Sequence, residues 1–152
     1  VAGGMELAIW ADMRVMEETA FMGVYCRRWG IPLIDGGTVR LPRLVGEGRA
    51  IDLLLTGRRV DAAEALTIGL CEYVVPQGKA REKAEEVARD ISRFPQSCVR
   101  ADRRSARKHH GLSLREALRQ EWWNSKAEVT RGIEGAARFA GGKGRGGDFD
   151  DL

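Results

Sequence analysis

A glycine pair followed by an acid is the first group of residues in this chain able to do chemistry. In Val1-Ala2-Gly3-Gly4-Met5-Glu6-Leu7-Ala8, small residues at 2 to 4 let a ligand approach the backbone closely. The segment from the glycines onward reads as a helix start, whose first N–H groups have no partner within the helix. Such a turn suits an oxygen that becomes negative during reaction, because fixed N–H donors act strongly where water is scarce. Glu6 stands three residues after Gly3, close enough to handle a proton beside that oxygen. The same residues also fit a plain strand-to-helix turn in which Glu6 only favours the helix N-terminus.

The elements that must position this turn follow in order. Asp12–Met16 and Ala20–Val24 read as short strands, and Tyr73–Pro76 as a third. Residues 1–76 alternate helix-like and strand-like pieces punctuated by Gly and Pro, as short α/β units do. From 77 to 140 the strand signal ends and the pattern is helical. Lys79–Arg93 carries Ala84, Val87, Ala88 and Ile91 as an apolar stripe at helical spacing. Pro95 opens the next helix towards Lys108, Gly111 closes it, and Ser113 is placed as the N-cap of another. That last helix is expected to run to Thr130, with Gly132 interrupting it before Ile133–Phe139. Residues 141–152, with Gly141-Gly142-Lys143-Gly144-Arg145-Gly146-Gly147, read as a flexible tail.

Composition narrows the function classes. The 152 residues are one ordinary domain's worth, and a formal charge of +3 is mild. Three cysteines, Cys26, Cys71 and Cys98, are odd in number and lack ligand-like spacing. They point to a reducing cytoplasm and away from zinc or a disulfide framework. His109 and His110 diverge by about 100° on a helix and make a poor pair of metal ligands. No apolar run reaches the length of a membrane span, and no signal peptide is evident. Arg100, Arg103, Arg104, Arg107 and Lys108 form a basic stripe, read as a solvated helix face because no interleaved aromatics support nucleic-acid binding. Adjacent Trp122 and Trp123 cannot share a helix face, so one is expected in the core and the other at an interface or groove.

The run Gly36-Gly37-Thr38-Val39-Arg40-Leu41-Pro42-Arg43-Leu44-Val45-Gly46, then Leu53-Leu54-Leu55-Thr56-Gly57, then Ala62–Leu70 carries a specific resemblance. With the glycine–glutamate turn before it, the whole chain resembles the crotonase superfamily, also called the enoyl-CoA hydratase/isomerase family. The resemblance maps onto roughly the C-terminal 60% of such an enzyme, so an upstream part of the site is expected before Val1. It implies an α/β, crotonase-like (ClpP/crotonase-type) fold: the C-terminal half of a spiral of short βα units over residues 1–76. A C-terminal α-helical oligomerisation region follows over 77–140, giving trimers or hexamers and covering the active site. In such enzymes a CoA thioester carbonyl sits between two backbone N–H groups that stabilise an enolate. Gly3 matches one donor, and the other belongs to an earlier loop that these residues do not include. The expected partner is an acyl-CoA thioester, with coenzyme A part of the substrate and no separate cofactor.

Hydratases of the family use two glutamates, the first three residues after that glycine and the second twenty residues later. Glu6 matches the first, and the second position is Cys26. A thiol between Tyr25 and Arg27-Arg28 is a poor replacement for a carboxylate, although nearby arginines can lower a thiol pKa. Asp35 is then a candidate second acid near the thioester, or alternatively a cap for the helix carrying Thr38 and Leu41. Trp29 lies where the family lines its acyl pocket, with core packing as the alternative. The candidate set is therefore Gly3, Glu6 and Asp35 for catalysis, and Gly4, Cys26, Trp29, Phe139 and Lys143 for substrate binding. The expectation is acyl-CoA chemistry of hydratase or isomerase type; the alternative is a catalytically impaired acyl-CoA-binding or oligomerisation module.

Overall fold

Short helices and three-residue strands interleave along the first part of the chain, as its Gly and Pro punctuation predicts. Helix α1 (Gly3–Ala8) is followed by β1 (Val15–Glu17), β2 (Phe21–Gly23) and a 3-10 helix over Tyr25–Trp29. Next come α2 (Gly37–Val45), α3 (Glu47–Thr56), β3 (Arg59–Asp61), α4 (Ala62–Thr67) and β4 (Tyr73–Val75). The computed structural model describes residues 1–144, 146, 147 and 149. The tail expected over 141–152 rests in part on Arg145, Asp148, Asp150, Asp151 and Leu152, which lie outside the described residues. Packing divides the chain into a unit Val1–Val87 and a second beginning at Ala88, and α5 (Ala80–Ser92) crosses the division.

In the first unit β1 pairs in parallel with β4, Val15 opposite Tyr73 and Glu17 opposite Val75. β2 pairs antiparallel with β3, Met22 opposite Val60. β3 has no signal of its own in the sequence, since three residues cannot display a period of two. It forms because Val60 is fully buried and its backbone completes the ladder of β2. Val24, Leu41, Leu53, Val60 and Leu70 make the driest part of the core. Arg14 is also buried, within a segment that reads as an ordinary strand. Its Nε donates to the Leu70 carbonyl at 2.8 Å, its Nη1 to the Ala11 carbonyl at 2.8 Å and its Nη2 to Glu72 at 2.5 Å. A buried guanidinium is tolerable when each nitrogen has a partner, and here the cation ties the start of β1 to the turn before β4.

The second unit is helical. α6 (Gln96–Lys108) and α7 (Leu114–Ala140) pack against each other. Ser113 caps α7 as the sequence predicts, in a reciprocal arrangement with Glu116. α7 then continues for 27 residues straight through Gly132, which corrects the expected break. A glycine weakens a helix by about 1 kcal/mol relative to alanine but keeps its N–H, so the ladder is unbroken. Trp122 and Trp123 are both exposed, so neither is a core residue. Together with Leu114, Leu118, Val129, Ile133 and Phe139 they give α7 more apolar surface than α6 covers. In α5 only Val87 and Ile91 of the expected stripe are half-buried. The basic stripe of α6 is exposed throughout. Among the described residues no helix is long and apolar enough to cross a membrane.

Candidate active site

The entry to α1 is strained. Ala2 has φ 49° and ψ −128°, a region that side-chain-bearing residues rarely adopt, and its N–H is held by the Gly23 carbonyl at 2.9 Å. Such a conformation costs on the order of 1–3 kcal/mol and is typical of functional turns. The N–H groups that follow are unequal. Gly4 donates to the Val1 carbonyl at 3.0 Å and Glu6 to the Ala2 carbonyl at 3.1 Å. The Gly3 N–H, first of the helix, has no acceptor among the described residues. Of the two glycines, Gly3 is therefore the one with a donor to spare, and Gly4 contributes small size rather than a hydrogen bond.

Glu6 is 2% exposed. Its Oε1 accepts the N–H of Asp35 at 2.9 Å and the N–H of Gly37 at 2.8 Å. Its Oε2 accepts nothing among the described residues. One oxygen therefore anchors the loop before α2 and the other is uncommitted. Gly37 is required by this contact, because a Cβ there would lie 2.8 Å from Glu6 Oε1 and 2.7 Å from Leu33 Cδ1. Gly36 has φ 98°, which only glycine adopts without strain.

Asp35 stands at the head of that loop with both backbone groups engaged. Its N–H goes to Glu6, and its carbonyl accepts the Trp10 indole N–H at 2.7 Å. The side chain is exposed and makes no hydrogen bond or ion pair among the described residues. Its Oδ2 lies 3.4 Å from where a Cβ on Gly3 would be, so the carboxylate sits against the glycine turn. The capping alternative does not hold: the N-cap of α2 is Gly36, and no side chain bonds to the helix end. The structure thus brings Gly3, Glu6 and Asp35 together.

The remaining candidates are dispersed. Cys26 is packed in the apolar core. The arginines beside it are directed elsewhere, Arg27 Nε to the Leu54 carbonyl at 3.1 Å and the Arg28 guanidinium over the Tyr25 ring. Trp29 is 80% exposed, which overturns core packing as its alternative. Phe139 and Lys143 belong to the second unit and are exposed there. A cleft of about 390 Å³ between α6 and α7, bordered by Asp102, His109 and Glu121, contains none of the candidate residues. Sequence reasoning missed Trp10. Its signal is its place four residues after Glu6, just past the end of α1.

Comparison with known proteins gives this geometry a family context. The sequence model described as enoyl-CoA hydratase/isomerase matches residues 1–140. An enoyl-CoA hydratase of Mycobacterium tuberculosis is 40% identical over 119 residues, 78% of this chain and 45% of that protein. The crystal structure of enoyl-CoA hydratase from Bacillus anthracis matches with TM-score 0.78 and 34% identity, covering 89% of this chain and 55% of that one. A Thermobifida fusca structure in complex with acetoacetyl-CoA matches with TM-score 0.79 and 28% identity, covering 86% and 51%. The chain spans about half the length of the relatives it matches, somewhat less than the sequence comparison anticipates.

Proposed function

Because the chain belongs to the enoyl-CoA hydratase/isomerase family, we propose that it acts on a CoA thioester through an enolate, with Gly3, Glu6 and Asp35 as the working groups. The supporting observation is the meeting of three uncommitted groups: the Gly3 N–H, Glu6 Oε2 and the Asp35 carboxylate. In hydration, a carboxylate takes a proton from water as the water oxygen bonds to the β-carbon. The electron pair of the double bond moves onto the thioester oxygen, where the Gly3 N–H and a second donor outside these residues receive it. The enolate then collapses as the second carboxyl group, which enters protonated, gives its proton to the α-carbon and becomes the carboxylate; proton exchange with solvent resets both groups. Asp35, exposed and unbonded, is the natural partner of the water. Glu6, held by two backbone donors, is the natural partner of the α-carbon. The acid that the family places at the position of Cys26 is, in this proposal, supplied by Asp35.

Leu7, Ile31 and Ile34 are exposed on the segments that carry these groups, an apolar setting suited to an acyl chain. In the first unit Gly4 and Trp29 are proposed as substrate contacts, with Cys26 a packing support in the core; Phe139 and Lys143 of the second unit are proposed as substrate contacts in their own right. The proposal includes a homotrimer or hexamer built through the exposed apolar side of α7, a cytoplasmic location and no cofactor beyond the CoA of the substrate. The test is Asp35→Asn in the full chain, assayed by hydration of crotonyl-CoA. Turnover is expected to fall about 10²–10⁴-fold with the melting temperature unchanged. Undiminished turnover removes Asp35 from the mechanism. Tight acyl-CoA binding by a wild-type protein that never turns over supports the binding-module alternative instead.

A further inference from the structure

Trp10 takes no proton and offers no charge, yet it is tied into the loop that bears Asp35 from three sides. Its indole N–H donates to the Asp35 carbonyl at 2.7 Å. Its ring packs against Gly36, where a Cβ would lie 3.5 Å from the indole. The Arg40 guanidinium covers the ring face, 3.5 Å from the centroid. Arg40 is on α2 and Trp10 lies just past the end of α1, so the indole links the end of the helix that carries Glu6 to α2 and to the loop before it that carries Asp35. The backbone of Asp35 is consequently held at both ends, by Glu6 at its N–H and by Trp10 at its carbonyl. Its side chain has no such restraint.

We infer that Trp10 is a positioning residue, whose indole N–H fixes the Asp35 peptide so that the Asp35 carboxylate is presented to the Gly3 turn. This rests on the proposed role of Asp35 and deepens it. The indole has a specific task beyond filling space, because about half of the residue is open to solvent while its N–H is aimed at the Asp35 carbonyl. Phenylalanine keeps an aromatic face for Arg40 and removes the donor, at the cost of the Nε1 and Cζ2 edge that lies nearest Gly36. Freed on that side, the Asp35 peptide can rotate, and a misplacement of about 1 Å in a reacting group can cost up to about 10²-fold in rate.

The experiment is a double-mutant cycle in the full chain: wild type, Trp10→Phe, Asp35→Asn and the double variant. Each is assayed for kcat and KM on crotonyl-CoA, for melting temperature and for deuterium exchange of the Asp35 amide. Trp10→Phe is expected to lower kcat about 10-fold to 100-fold with little change in KM or melting, and to speed exchange at Asp35. The double variant is expected to be no slower than Asp35→Asn alone, since a residue acting through Asp35 has nothing left to position. Multiplying losses in the double variant overturn the inference, as does a Trp10→Phe protein with wild-type kcat and exchange beside an inactive Asp35→Asn. Normal turnover in Asp35→Asn is the distinct outcome that refutes the role of Asp35 itself, and the positioning role falls with it.

Discussion

Glu6→Gln separates the anchoring task that the structure gives to this carboxylate from the proton-carrying task proposed for it. Glutamine is the same length, and its carbonyl oxygen can replace Oε1 as acceptor for the N–H groups of Asp35 and Gly37, now 2.9 and 2.8 Å away. Its amide nitrogen then occupies the place of Oε2 and cannot accept a proton. Hydrogen bonds to a charged group contribute about 1.5–3 kcal/mol against about 0.5–1.5 for neutral ones. Converting two of them therefore costs about 2–3 kcal/mol, partly offset because a neutral amide is easier to bury. A net loss of about 1–3 kcal/mol lowers the melting temperature by several degrees in a chain of this size. Turnover of an enoyl-CoA should fall much further, about 10²–10⁴-fold. Alanine is the wrong probe. It leaves both N–H groups without an acceptor at about 1–3 kcal/mol each, a large part of the roughly 5–15 kcal/mol that holds a domain together. Calorimetry and steady-state kinetics on the same preparation decide the matter. Near-normal turnover in a measurably destabilised Glu6→Gln protein refutes the proton-carrier role and leaves Glu6 as the anchor of the loop. Lost turnover without any thermal change refutes the anchoring geometry.

Other outcomes test the frame around the site. Arg14→Gln should destabilise by about 2 kcal/mol or more in chemical denaturation, because the Leu70 and Ala11 carbonyls and Glu72 all lose their cation. Cys98 should react quickly with a thiol reagent while Cys26 and Cys71 react only after unfolding. All three are free, only Cys98 is exposed, and burial pushes the Cys71 thiol up and keeps it protonated. Ala2→Gly should be neutral or stabilising by up to about 1 kcal/mol, whereas Ala2→Val should destabilise, since only glycine relieves the positive φ. The Ser113 hydroxyl and N–H hold the Glu116 carboxyl below its usual range. A lowered folded-state pKa contributes stability above the unfolded value of 4.5 that is lost as pH falls through the folded one. Helix content at α7 should therefore weaken only in acid, and a Ser113→Ala variant should be less acid-sensitive there.

What could be read from the chain beforehand follows the length scale of each signal. The helix start at Ser113 was legible because a cap acts within four residues, and a helix carrying Thr38 and Leu41 was expected, although its N-cap is Gly36 and not Asp35. The grouping of Gly3 with Glu6 was legible for the same reason. Asp35 was recognised as a candidate, but its choice between cap and site depends on contacts with residues 25 or more positions away. Arg14 looked like a polar strand residue because its partners at Leu70 and Glu72 are more than 50 positions distant. The break predicted at Gly132 failed because a glycine's local cost is small beside the helix hydrogen bonds on either side of it. One of Trp122 and Trp123 was expected in the core because adjacent helix residues face different ways, yet both are exposed, so facing alone does not decide burial.

The two acids are not independent parts. The peptide of Asp35 hangs on Glu6 Oε1, and the same oxygen holds Gly37 at the head of α2, so Glu6 determines where Asp35 can be. Any substitution at Glu6 that drops this acceptor also releases Asp35, and its kinetic effect then reports both residues at once. The reverse is not true, because the Asp35 side chain supports nothing in the fold among the described residues. Changing Asp35 leaves Glu6 and the loop in place. This asymmetry explains how a chain without a carboxylate at position 26 can still present two acids to one turn. In the proposed mechanism the acid is delivered on the loop before α2, and its delivery is fixed by the first acid itself. Of the two acids, Asp35 is the one whose side chain can be changed without disturbing the scaffold. In the proposed mechanism the side chain at 35 is therefore the position from which the outcome at the α- and β-carbons, hydration or proton shift, is most directly altered.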